Sequence, residues 1–363
     1  MQQRFEHGGN IYQENPAQTP WLDFSANINP LGLSPNVKKA IQMHIDDVMH
    51  YPDPQGTQLK QALQAHYHIP YESIILGNGA AELFYVYMHA FRPKRVVLPV
   101  PSFSEYEKAA RSCHADVSYI LLREADGFAM DWDTLYAACP DADCIILGNP
   151  NNPTGTLLSA KKLTELARRA AQTHTDILID ESFLDFRDDE ENYTIRSLPT
   201  QYDHVFVIRS LTKFYALPGL RLGFAVVSPT KRAAMEAQKD VWNTNVLAQW
   251  AGIAALQDRD YQQRTRAYIR TARQWLYTKL NTVPGCTVFL PSVNFMLVKI
   301  EPAHSTMQHL VLALRQQSIL VRECGNYPGL TESFLRFAVK TPSDNQKLYT
   351  TLKKIMYDKS YAL

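Results

Sequence analysis

At 363 residues with 45% hydrophobic content, the chain can bury a large core, and its length suits two domains or one large one. Its 37 basic residues nearly balance 36 acidic ones, so nothing points to nucleic acid or another polyanion as a partner. Five cysteines, odd in number and widely spaced, form no metal or redox motif and fit a reduced, cytoplasmic setting; the polar opening has no signal-peptide pattern, and no apolar run is long enough to span a bilayer.

The chain opens with His7-Gly8-Gly9-Asn10, followed by the turn-rich run Asp23-Phe24-Ser25-Ala26-Asn27-Ile28-Asn29-Pro30-Leu31-Gly32. His66 and His68 alternate, but read as a solvated helix end; the other histidines are scattered, so no metal site is expected. Ser73 to Leu76 reads as a strand, which Gly77-Asn78-Gly79-Ala80-Ala81-Glu82 turns into an apolar helix beginning at Leu83. Small residues let backbone N–H groups approach an anion at a helix amino terminus, so Gly79, Ala80 and Ala81 are candidates for a phosphate cradle. Next comes Pro101-Ser102-Phe103-Ser104-Glu105-Tyr106, with an aromatic ring after a proline turn.

Three short apolar strands then end in polar groups. Cys144 to Leu147 runs into Gly148-Asn149-Pro150-Asn151-Asn152-Pro153-Thr154-Gly155, Ile177 to Ile179 ends in Asp180-Glu181, and Val205 to Ile208 leads through Ser210 to Lys213. In an open α/β sheet, ligand groups gather at the carboxyl ends of strands, so Asn152, Asp180 and Lys213 are expected to share one site. A lysine there, with a hydroxyl three positions earlier and Arg221 eight positions later, suits an aldehyde cofactor that carries a phosphate. The amine would form the Schiff base, while Ser210 and the planar fork of Arg221 hold the phosphate.

Alternating strands and helices from about Ser73 to Val227 predict a mostly parallel sheet with crossover helices. Helical patterns follow at Lys231 to Lys239, Val246 to Leu256 and Tyr261 to Leu280. Strands at Cys286 to Leu290, Asn294 to Ile300, Ser318 to Arg322 and Phe334 to Val339, with helices between and after, predict a smaller α+β domain. The expected division is an N-terminal arm over 1–27, a small domain from 28–44 and 246–363, and a large cofactor-binding domain over 45–245.

The set Asn-Pro-Thr-Gly, Asp-Glu, Ser-x-x-Lys and Arg-x-Gly, in this order, resembles the fold type I, pyridoxal-phosphate-dependent aminotransferase superfamily, over nearly the whole chain. The resemblance implies an α/β fold with a mostly parallel seven-stranded sheet plus a smaller α+β domain, and pyridoxal 5'-phosphate as cofactor. It implies that Lys213 binds the cofactor covalently, that Asp180 pairs with the pyridine nitrogen, that Asn152 bonds the ring's phenolic oxygen and that Phe103 stacks on its face. A carboxylate facing that nitrogen favours its protonated form, which withdraws electrons better. It further implies a homodimer with shared sites, in which Tyr51, in His50-Tyr51-Pro52-Asp53, reaches the partner's cofactor phosphate.

A narrower resemblance rests on the His-Gly-Gly-Asn opening, the Asp23 to Gly32 run and Val321-Arg322-Glu323-Cys324-Gly325-Asn326-Tyr327-Pro328-Gly329-Leu330. Together they are similar to the threonine-phosphate decarboxylases of cobalamin biosynthesis, relatives of histidinol-phosphate aminotransferase. This implies conversion of the phosphorylated amino acid L-threonine O-3-phosphate to (R)-1-amino-2-propanol O-2-phosphate and carbon dioxide. Phe183 stands where aminotransferases of the group commonly have a tyrosine, which agrees. Serine phosphate differs by one methyl, worth only about 1–3 kcal/mol in a pocket, and no motif decides between the two; histidinol-phosphate aminotransfer is the other alternative.

Arg322 and Arg336 fall on successive strands of the small domain, and an arginine flanked by apolar residues is expensive to bury without an anion. Matching arginines in the relatives grip the substrate's acidic end. If both hold the phosphate, His7, with Gly8 beside it, and Asn29 become candidates for the carboxylate; Asn152 is a further candidate substrate contact. Lys213, water and Tyr215 stay open as proton donors to Cα.

Overall fold

The computed structural model describes residues 7–303 and 305–357. In chain order, a short strand β1 (Leu22–Asp23) precedes helix α1 (Pro35–Met43). That helix starts where the Ser34 side chain accepts from the Val37 N–H and Pro35 occupies the first turn. The main α/β run is α2 (Thr57–Tyr67), β2 (Ile74–Gly77), α3 (Ala80–Phe91), β3 (Arg95–Val100), α4 (Ser104–Ser112), β4 (Asp116–Leu121), α5 (Trp132–Ala138), β5 (Cys144–Gly148), α6 (Ala160–Thr173), β6 (Asp176–Asp180), β7 (Val205–Ser210) and β8 (Gly223–Val226).

Strands β2 to β8 form one seven-stranded sheet in the order β2-β8-β7-β6-β5-β3-β4. Only β8 runs against the rest, antiparallel to both β2 and β7, so the expected mostly parallel sheet is present. The central strands are buried on both faces, as crossover helices require. Ile177, Ile179, Val205 and Val207 point into one core, and Leu178, Phe206 and Ile208 into another on the opposite face. This alternation carries past the apolar stretches and decides where the polar residues at the strand ends point.

Helices α7 (Pro229–Glu236), α8 (Val246–Gln257) and α9 (Arg259–Leu280) follow, then β9 (Cys286–Val288), β10 (Phe295–Ile300), α10 (Met307–Gln316), β11 (Ile319–Leu320), β12 (Arg322–Glu323), β13 (Phe334–Ala338) and α11 (Pro342–Tyr357). Helix α8 packs against both α1 and α2. A second, antiparallel sheet has the order β12-β13-β10-β9.

Two expectations need correction. The strand predicted from Ser318 to Arg322 is two strands: β11 pairs in parallel with β1, and β12 pairs antiparallel with β13, the chain changing sheets at Val321. An apolar run shows that a segment is buried, but not which neighbour its backbone bonds. Helix α3 begins at Ala80 rather than Leu83, because Gly79 supplies the break (φ 87°, ψ 158°) and the two alanines after it are good helix formers.

Candidate active site

Segments following β2, β3, β5, β6 and β7 meet the small sheet and the N-terminal segment around a cavity of about 190 Å³. Its walls include His7, Gly8, Ala80, Ala81, Phe103, Asn152, Asp180, Ser210, Lys213, Arg221, Arg322 and Arg336, all expected at the site from sequence. Gly79 sits directly behind Arg221: a Cβ there would lie 2.4 Å from the guanidinium Nη2. The cavity opens at His7, Gly8, Ser25 and Arg322 onto a larger cleft of about 980 Å³.

One end of the cavity is built for an anion. Gly79 forms a tight turn, its N–H donating to the Gly77 carbonyl (2.8 Å), and presents the amino terminus of α3. Ser210 and Thr212 share a hydroxyl hydrogen bond (2.7 Å), and Arg221 has left-handed backbone (φ 57°) beside them. A helix amino terminus, two hydroxyls and a guanidinium are a phosphate donor set.

At the other end lies a buried carboxylate. Asp180 accepts from the Tyr106 hydroxyl (2.7 Å) and from the Ser182 N–H (2.9 Å). Burial pushes its carboxyl above the ordinary value, and these two donors act against that shift. Tyr106 was not singled out from sequence, although it lies one helical turn from Phe103 and meets that ring edge-on, with centroids 5.6 Å apart. Between the two ends, burial and then the Arg336 and Arg221 cations push the Lys213 amine down to about 8. An amine so shifted is a nucleophile near neutral pH.

The third wall carries paired arginines. Arg322 and Arg336 stand directly opposite each other on β12 and β13, both buried. Like charges facing each other across strands repel, and an anion between them removes the repulsion. Arg336 donates to Asn152 Oδ1 and to the Ser25 carbonyl, while its Nε has no hydrogen-bond partner among the described residues. Arg322 donates to Asn326 Oδ1 (2.8 Å) and lies over the Tyr327 ring. Phe183 lines the cavity and packs edge-on against Phe295.

Three expected residues stand elsewhere. Asn29 does not line the cavity: its amide donates to the Phe214 carbonyl (2.7 Å), Tyr261 hydroxyl (2.9 Å) and Thr265 hydroxyl (2.8 Å), and its oxygen accepts from the Leu31 N–H. It braces the loop of Lys213, whose carbonyl accepts from the Asn29 N–H (3.0 Å). Tyr215 is also absent from the cavity wall, buried with its hydroxyl near Asp185. Tyr51 is exposed and stacks on Trp242 (centroids 4.2 Å), away from this chain's own cavity.

The alternation of β6 and β7 puts a different set of charges behind the site. Arg209, fully buried, donates to Asp185 (2.9 Å) and Glu190 (2.8 Å) and lies 3.5 Å from Glu181, so Glu181 and Arg209 face away from Asp180 and Ser210. Among the described residues no cluster of three or more His, Cys, Asp or Glu could hold a metal.

The arrangement fits a phosphorylated pyridine aldehyde: an amine of lowered basicity lies between an anion cradle and a buried carboxylate, and the cradle has no room for a side chain at position 79. The comparisons with known proteins agree. Residues 19–352 match the family model for aminotransferase class I and II. The chain is 37% identical over 359 residues to threonine-phosphate decarboxylase of Salmonella typhimurium, covering 96% of each protein. It is 32% identical over 362 residues to an adenosylcobalamin biosynthesis bifunctional protein of Leptospira interrogans, covering 97% of this chain and 41% of that one. The solved histidinol-phosphate aminotransferase of Clostridium acetobutylicum superposes with a TM-score of 0.85 at 31% identity, over 92% of this chain and 98% of that one. The chain therefore belongs to the pyridoxal-phosphate-dependent class I and II aminotransferase family, in the branch of the threonine-phosphate decarboxylases.

Proposed function

We propose that the protein decarboxylates L-threonine O-3-phosphate to (R)-1-amino-2-propanol O-2-phosphate and carbon dioxide in cobalamin biosynthesis. The observation that carries this reading is the facing pair Arg322 and Arg336, buried in the cavity wall with an unpartnered Arg336 Nε. A substrate with two acidic groups suits such a wall better than one with a single acidic group, because one anion between the arginines leaves the other to be held apart. The likeness to the Salmonella decarboxylase supports the reaction, and that to the Leptospira protein supports the pathway.

Bound pyridoxal phosphate supplies an aldehyde that condenses with amines and a ring that draws off the electron pair of a breaking bond to Cα. Gly79, Ala80, Ala81, Ser210 and Arg221 would hold its phosphate, and Asn152, on the cavity wall, would bond its phenolic oxygen. Asp180, whose carboxyl is raised by burial against the donors Tyr106 and Ser182, would hold a proton at the ring nitrogen. Lys213 would be the covalent anchor, and its amine, which lines the cavity where Tyr215 does not, is the candidate to carry a proton to Cα. Arg322, Arg336, His7 and Gly8 orient the substrate's acidic ends. Orientation selects the outcome, since the bond perpendicular to the ring plane breaks most readily.

The same reading includes a second copy of the chain. Met43, Ile45, Val48, Met49, Tyr51, Val241 and Trp242 are exposed apolar residues, and Tyr51 and Trp242 stack within this set. Such a surface suits a self-complementary interface, across which Tyr51 would reach the partner's phosphate cradle. Five unpaired cysteines support a reducing, cytoplasmic setting, and among the described residues no helix is long and apolar enough to cross a membrane.

The test incubates the purified protein with threonine phosphate, with serine phosphate, and with histidinol phosphate plus 2-oxoglutarate. Carbon dioxide from threonine phosphate without glutamate formation is the expected result. Glutamate formed from histidinol phosphate would instead support the aminotransferase reading, which the Clostridium structure favours; faster release from serine phosphate would reassign the substrate.

A further inference from the structure

Glu105 lies in the first turn of α4, just outside the cavity, and its role is not explained by the cofactor. It is buried, with 8% of its surface exposed, and its Oε1 is 2.7 Å from Nε2 of His7, ninety-eight residues away in the N-terminal segment. The Tyr85 hydroxyl donates to its Oε2 (2.8 Å), and Lys108 approaches Oε1 at 3.4 Å. These contacts, the His7 hydrogen bond foremost among them, more than offset burial and hold the Glu105 carboxyl down at about 2, so it is ionised throughout any working pH range. An ionised carboxylate only accepts, so Nε2 of His7 bears a proton toward Glu105, which fixes the ring's orientation and leaves Nδ1 for another partner.

The ring so held has a defined place. His7 borders both the cavity and the larger cleft, on the wall that also carries Arg322, and its ring lies 5.5 Å from that of Phe103. The backbone around it is closely docked: a Cβ at Gly8 would lie 2.2 Å from the Ser25 carbonyl oxygen, and the Gly9 N–H donates to the Ser25 hydroxyl (2.7 Å), itself bound to Asp23 (2.6 Å). His7 is thus clamped from two sides, by Ser25 through the backbone and by Glu105 through the ring. A glutamate in a first helical turn also complements the helix dipole, but that role needs neither burial nor a partner from another segment.

We propose that Glu105 is a positioning residue that holds His7 by its Nε2–H, so that the ring in its imidazolium form, the one form with a second N–H, donates from Nδ1 to an acidic group of the substrate beside Arg322. The inference rests on the reading of the cavity as a site for a phosphorylated amino acid. Because Glu105 does not line the cavity, it acts on substrate only through His7 and leaves the cofactor's contacts intact.

The experiment is a double-mutant cycle on the holoenzyme with threonine phosphate as the probe: wild type, E105Q, H7A and H7A/E105Q, with the cofactor's absorbance recorded for each. E105Q is expected to raise KM on the order of tenfold, the loss of one charge-assisted hydrogen bond, with a smaller change in kcat and an unaltered cofactor spectrum. In the H7A background, the same change is expected to have an effect under twofold, since the residue through which it acts is gone. E105D, which keeps the charge, is expected to recover part of the loss. Equal effects of E105Q with and without His7 would overturn the proposal and leave Glu105 a residue of helix stability; so would an unchanged KM in E105Q. If wild type releases no carbon dioxide from threonine phosphate, the substrate reading itself has failed, which the cycle separates from a failure of the Glu105 link.

Discussion

Replacing Gly79 by alanine tests the phosphate cradle at the point where geometry is tightest. The added Cβ would lie 2.4 Å from Arg221 Nη2 and 2.9 Å from its Cζ, so the guanidinium must move. The backbone at Gly79 (φ 87°, ψ 158°) is in a region open almost only to glycine, at a cost of about 1–3 kcal/mol for any other residue. That strain is present with and without cofactor, so it lowers stability but not affinity. Displacing Arg221 acts on affinity: the loss of one charge-assisted hydrogen bond to phosphate, about 1.5–3 kcal/mol, weakens cofactor binding roughly ten- to a hundredfold. Titrating the apoprotein with pyridoxal phosphate, followed by absorbance, measures the dissociation constant, and urea unfolding measures the strain. Gly219→Ala is the control, because no atom lies within 4 Å of a Cβ there. A dissociation constant for Gly79→Ala within twofold of wild type, or an equal loss in Gly219→Ala, would refute the reasoning.

Tyr106→Phe removes a donor from Asp180, so a carboxyl already raised by burial rises further; its charge is then lost earlier on acidification, and the acid limb of kcat/KM is expected to move up by about one pH unit. Superimposable acid limbs in the two pH profiles would count against this. In the apoprotein, condensation of Lys213 with added pyridoxal phosphate is expected to rise through about pH 8, and Arg336→Leu, by removing a neighbouring cation, to shift that midpoint upward; a midpoint near the ordinary lysine value of ~10.4 would contradict the assignment. Asn29→Ala is expected to destabilise the fold by about 2–4 kcal/mol in urea unfolding, since it strips partners from buried groups, with KM within twofold of wild type. A large rise in KM at unchanged stability would restore Asn29 to the substrate.

Much of the cavity was legible in the sequence because its residues sit where short apolar strands stop. Asn152, Asp180 and Ser210 follow or end β5, β6 and β7, and a period of two within each strand fixes the face they share. What was hidden depends on distant contacts. Asn29 looked free for substrate because its partners lie 185 to 236 residues away, and nothing in a local pattern announces them. Tyr106 meets Asp180 across 74 residues, though its spacing from Phe103 on a helix face was a usable signal. The run from Ser318 to Arg322 read as one strand because hydrophobicity reports burial, whereas its division depends on β1 and β13 competing for its backbone. Tyr215, two residues beyond Lys213, looked near the chemistry by numbering, yet the turn carries it behind the wall.

The two-faced ends of β6 and β7 constrain how this enzyme can diverge. A single residue deleted from β7 would exchange Ser210 for the guanidinium of Arg209 on the cofactor side and leave Asp185 and Glu190 without their cation on the other. Insertions and deletions in these strands are therefore closed to evolution and to the engineer alike. New specificities on this scaffold have to come from exchanging side chains such as Phe183 and Tyr327, or from remodelling the N-terminal segment that bears His7.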